Sequence, residues 1–150
     1  MTQVKVDYSE FSLFVSLLVK KLSLLNRDHK SCYGLTMSQC FTIEALAENG
    51  KLSMNKLSHE LGVTVSTMTR IIDVLLRDGN VNRRDNPDDR RQVCIELTSS
   101  GRNLAVKLRQ CSDHYARDIL DQIPEKEKNG VIKSLKMLVK ALESANKKCC

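Results

Sequence analysis

Between Ser53 and Arg77, two short amphipathic helical patterns, residues 54–61 and 65–77, meet at Leu61-Gly62-Val63. A joint this short forces two helices to cross steeply, and Gly62 supplies the positive φ that so tight a turn requires. Ser53 and Thr64 each stand just ahead of a helical pattern, where a hydroxyl accepts from the free N–H groups of the first turn. The pair reads as a helix-turn-helix. Stepping 100° per residue along the second helix gathers Met68, Ile71, Ile72 and Leu75 on one arc, which must be buried. Ser66, Arg70, Asp73 and Arg77 fall opposite, with Thr67 and Thr69 on the flanks. The solvent face therefore begins small and hydroxylated and becomes charged toward its end.

The flanking segments extend this unit on both sides. Over residues 8–27, Phe11, Phe14, Val15, Leu18, Leu22 and Leu25 recur at three- and four-residue steps, which predicts a long amphipathic helix. Thr36 or Ser38 then caps a second helix carrying Met37, Cys40, Phe41, Ile43, Leu46 and Ala47, with Gly50 as its stop. After Asp78-Gly79 the period changes. Residues 81–84 and 92–97 alternate as two strands around the turn-rich run Asp85-Asn86-Pro87-Asp88-Asp89-Arg90-Arg91, a β-hairpin. Thr98, Ser99 and Ser100 cap a helix that reaches Leu120, with Leu104, Leu108, Cys111, Tyr115 and Ile119 on its stripe. Pro124 opens a last helix bearing Val131, Leu135, Leu138, Val139 and Leu142. Two Pro, six Gly and 4% aromatic residues in 150 favour long helices around an aliphatic core over a many-stranded sandwich. The fold class is mainly α: a winged helix-turn-helix with a two-stranded β wing and additional N- and C-terminal helices.

Charge and motifs narrow the function. The formal net charge is +6. Its excess falls mainly between residues 51 and 109, with 11 Lys and Arg against 7 Asp and Glu, which favours acidic partners such as nucleic acid. A phosphate-binding Gly-rich loop, His-Glu-x-x-His and Cys-x-x-Cys are all missing from the sequence, and His59 beside Glu60 is a lone histidine, so the reading is not an enzyme and needs no cofactor. The first ten residues lack the basic and apolar pattern of a signal peptide, and Lys20-Lys21 interrupts the apolar stretch that follows, so neither export nor a membrane span is expected. Six cysteines in such a chain point to reduced thiols and a cytoplasmic location.

The run from Arg83 to Arg91, followed by Leu97-Thr98-Ser99-Ser100-Gly101, resembles the wing signature of MarR family transcriptional regulators. Leu61-Gly62-Val63-Thr64-Val65-Ser66-Thr67-Met68-Thr69-Arg70 is similar to that family's reading helix, and Leu35-Thr36-Met37-Ser38-Gln39 to the opening of its second helix. The resemblance implies a homodimer on double-stranded DNA, with residues 1–34 and 101–150 as dimerisation helices around a winged DNA-binding domain at 35–100. Terminal helices with more apolar surface than a small winged core needs point the same way. Thr64, Ser66, Thr67, Thr69 and Arg70 would meet the major groove, Thr64 through a helix N-terminus suited to phosphate and Arg70 as a bidentate contact to guanine or a phosphate clamp. The plain alternative is a solvated face on which Arg70 pairs with Asp73. By the same resemblance Arg90 would enter the minor groove, braced by Asp88, with Arg91 and Arg84 beside it. Against this stands a solubility patch balanced by Asp85, Asp88 and Asp89.

The signal that would release the DNA is open. The resemblance implies a small-molecule effector held between the dimerisation and DNA-binding regions. A thiol switch or soft-metal site using Cys32, Cys40 and Cys111 is the second possibility, although Cys40 and Cys111 sit on apolar stripes where thiols are ordinary small hydrophobes. No metal site is assigned: His29, Cys32 and His114 lack the tight spacing of a zinc centre, and Cys149-Cys150 lies on a charged tail. A dimer on the same fold that senses thiophilic metals or binds a protein partner is the alternative function.

Overall fold

The computed structural model describes residues 7–30, 33–85 and 93–145, with side chains described for all of these except 25–30. The elements run α1 (Tyr8–Lys30), α2 (Met37–Asn49), β1 (Leu52–Ser53), α3 (Met54–Glu60), α4 (Val65–Arg77), β2 (Val81–Asp85), β3 (Val93–Leu97), α5 (Ser99–Asp121) and α6 (Glu125–Ala145). Two compact units divide the chain, Met1–Arg109 and Gln110–Cys150.

In the first unit, caps set the helix boundaries. Thr36 rather than Ser38 caps α2. Its hydroxyl accepts from the Gln39 amide while the Gln39 side chain accepts from the Thr36 amide at 2.7 Å, so two otherwise orphaned donors satisfy each other. Gly50, at φ 74°, closes the helix by donating its N–H to the Leu46 carbonyl. Ser53 accepts from Lys56 N–H to start α3, and Gly62, at φ 64°, turns the chain so that Val63 N–H reaches the Ser58 carbonyl at 3.0 Å.

The hairpin lies where the alternation places it and gains a third strand. The sheet order is β1-β3-β2, all antiparallel, with Leu52 opposite Ile95 and Val81 opposite Leu97. Two residues are too few to show a period, and Ser53 serves both as a strand residue and as the α3 cap. Ile43, Leu46, Leu57, Met68, Ile72, Leu75, Val81 and Ile95 pack into one core of which each is buried almost completely. Every member of the arc foreseen on α4 takes part, Ile71 from its edge.

The base of the hairpin is held by a small polar knot. Thr98 donates its hydroxyl to the Gly79 carbonyl at 2.7 Å and accepts from Gly101 N–H at 3.0 Å, while its own N–H reaches the Asn80 carbonyl. Gly101 is buried so tightly against that carbonyl that a Cβ there would overlap the Asn80 oxygen.

Helices outside this core leave their stripes open. On α1, Phe11 is 53% exposed, Phe14 59% and Leu18 41%. The second unit holds the end of α5 and all of α6, a helix on which Val131 and Leu138 are half-buried while Leu135, Val139 and Leu142 are exposed. Among the described residues, no helix is long and apolar enough to cross a membrane.

Candidate nucleic-acid interface

Helix α4 owes its position to its buried arc, and that arc leaves the opposite face to solvent. At its N-terminus the Thr64 hydroxyl accepts from Thr67 N–H at 3.2 Å and lies 3.0 Å from the Ser66 hydroxyl and 2.9 Å from that of Thr67. Three exposed hydroxyls thus cluster around the amide groups where the helix dipole is positive. Thr69, half-buried, donates its hydroxyl to the Val65 carbonyl at 2.9 Å. Arg70 stands one turn further along, exposed, with no hydrogen-bond or ion-pair partner among the described residues. The alternative pairing with Asp73 is not formed: Asp73 accepts instead from Arg83 of β2 at 2.6 Å.

The wing adds further cations with partners of their own. Arg84 donates Nε to Glu96 at 2.9 Å, and Lys51 approaches the other carboxylate oxygen at 3.4 Å. The hydrogen bond from Arg84, helped by Lys51, holds the Glu96 carboxyl below the usual carboxylate range against the opposing effect of burial. Arg84 therefore reaches any phosphate only in competition with Glu96. Asp88, Arg90 and Arg91, assigned to the wing tip, lie outside the described residues. Thr64, Ser66, Thr67, Thr69 and Arg70 do share one end and one face of α4.

The candidate cysteines differ in setting. Cys40 is fully buried in the first unit's core, Cys111 is half-buried on α5 in the second unit, and Cys32 lies outside the described residues. No group of three metal-ligating side chains occurs among the described residues. Sequence reasoning missed the partners of Arg83 and Arg84. A signal was present for Arg83, because it sits two residues after the core residue Val81 and so on the same face of β2.

The MarR family model matches residues 35–93, from the cap of α2 to the start of β3. Over this winged helix-turn-helix segment the chain is similar to the MarR family. The transcriptional repressor YetL of Bacillus subtilis strain 168 is 29% identical over 141 residues, which span 89% of this chain and 83% of that one. A MarR family protein from Bacillus stearothermophilus superposes with a TM-score of 0.82 at 21% identity, over 90% of this chain and 94% of its own. Streptococcus pneumoniae FabT, solved in complex with DNA, superposes with a TM-score of 0.78 at 23% identity over 93% and 99%.

Proposed function

We propose that this chain is a transcriptional regulator of the MarR type, a repressor that binds a pseudo-palindromic operator as a homodimer, residues 35–100 meeting the duplex and residues 1–34 and 101–150 pairing two chains. The observation that carries the reading is the uncovered face of α4, where a hydroxyl-ringed helix N-terminus and an exposed Arg70, without a partner among the described residues, stand together on the side away from the core. Ser66, Thr67 and Thr69 let the backbone approach phosphate, and Arg70 reads a base edge or clamps a phosphate. Arg90 and Arg91, with Arg84, act from the wing, Asp88 bracing Arg90. The exposed stripes of α1 and α6 support the pairing of chains. A two-fold dimer places its half-sites about one helical turn apart. That FabT was solved with DNA supports the same use of a shared fold.

A small molecule is favoured over thiol oxidation as the releasing signal, because complete burial of Cys40 makes it a packing residue and shields it from oxidant. Selection of bound duplexes from a random pool tests the whole reading: a palindrome is expected, with an affinity that falls steeply as salt rises. Arg70→Ala is expected to cost about 1–3 kcal/mol and to relax preference at one position per half-site. Enrichment of no duplex, or an Arg70→Ala protein that binds like wild type, overturns it. A mild oxidant is expected to leave operator affinity unchanged.

A further inference from the structure

The two arginines of β2 are taken up on opposite faces of the sheet. Arg83 stands opposite Ile95 and shares the face of Val81, which is turned to the core. From there it reaches out to α4, where Asp73 accepts from Nη2 at 2.6 Å. Arg84 points to the other face, shared with Glu96, whose position opposite Asn82 puts it diagonal to Arg84. Glu96 lies on the central strand and holds Arg84 from β2 on one side and Lys51, just ahead of β1, on the other. One face of the sheet is thus laced from β2 through β3 to the residue ahead of β1, and the other, which packs Val81 and Ile95 into the core shared with α4, adds the Arg83–Asp73 ion pair to the reading helix.

These contacts contribute little to holding the fold together. Asp73 and Arg83 are 56% and 48% exposed, and ion pairs so open to water are worth little to stability. What the pair does fix is geometry. Asp73 is on the exposed side of α4, three residues after Arg70, and Arg83 is in the first strand of the hairpin, two residues after the core residue Val81. We propose that Asp73 is a positioning residue for DNA recognition: its grip on Arg83 sets the angle between wing and reading helix, so that both engage a duplex as one rigid piece. The proposal rests on the DNA-binding reading above.

Its test turns on sign. Asp73→Ala removes a negative charge from the face turned to a polyanion and puts a better helix former into α4. Electrostatics and helix propensity alone therefore predict tighter binding and an unchanged or higher Tm. A latch predicts the reverse for binding: about tenfold weaker affinity of the full-length chain for the duplex selected by wild type, the scale of one coupled side-chain pair, with Tm unchanged. Hydroxyl-radical protection is expected to fade where the wing meets the duplex and to persist under α4. The exchange D73R/R83D, which restores the pair in reverse, is expected to recover most of the lost affinity and the wing protection. Binding by Asp73→Ala as tight as or tighter than wild type, or a reversed pair no better than Asp73→Ala, overturns the latch alone. A wild-type chain that selects no duplex overturns the DNA-binding reading and the latch with it.

Discussion

Helices α4 and α6 are both amphipathic, yet they spend their apolar faces in opposite ways. On α4, Met68, Ile72 and Leu75 are fully buried against α2, α3 and the sheet. On α6 no described residue is buried, and Leu135, Val139 and Leu142 stand about half in water. A helical stripe in a sequence therefore says that a side will be covered without saying by what. For α4 the cover is the same chain, drawn in by turns at Gly62 and Gly79. For α6 the cover proposed above is a second copy.

Breaking the contrast at its covered end gives the largest effects. Met68→Ala opens a cavity in the core of the first unit and is expected to cost about 2–5 kcal/mol in denaturant unfolding. Gly101→Ala is expected to cost about as much by forcing the Asn80 carbonyl from its place, which a far smaller loss of stability would contradict. The open end sharpens the contrast. Leu135→Lys is expected to leave amide protection in the first unit unchanged and to lower the dimer fraction in sedimentation, since it alters a stripe rather than that core. An unchanged dimer fraction would move the chain-pairing surface off α6. The smallest effect belongs to the polar lacing. Because the Glu96 carboxyl sits below its usual range in the folded chain, the stability it lends is complete above that range and is lost as pH falls through the lowered value. The gap in Tm between wild type and Glu96→Gln should therefore narrow on acidification and be widest near neutrality.

What the sequence revealed follows from how local each signal is. The ends of α3 and α4 were legible because Ser53, Gly62 and Thr64 act on neighbours within four residues. The hairpin strands were legible for the same reason, their period being visible in five residues each. Strand β1 was not, because two residues carry no period and only Ile95 and Cys94, more than forty residues later, make them a strand. The candidate site divides along this line too. The exposed face of α4 could be drawn from a 100° step, whereas the partner of Asp73 could not: three residues along the helix suggested Arg70, and the sheet delivered Arg83.

The knot at Thr98 separates what holds the hairpin from what the hairpin touches. Its bonds to Gly79, Asn80 and Gly101 close the two strands at the end nearest the core, and none of them depends on the residues that join β2 to β3. Length and sequence in that joining segment are thereby released from the demands of folding. Substitutions in that segment are therefore free to change what the hairpin touches while its base stays as it is.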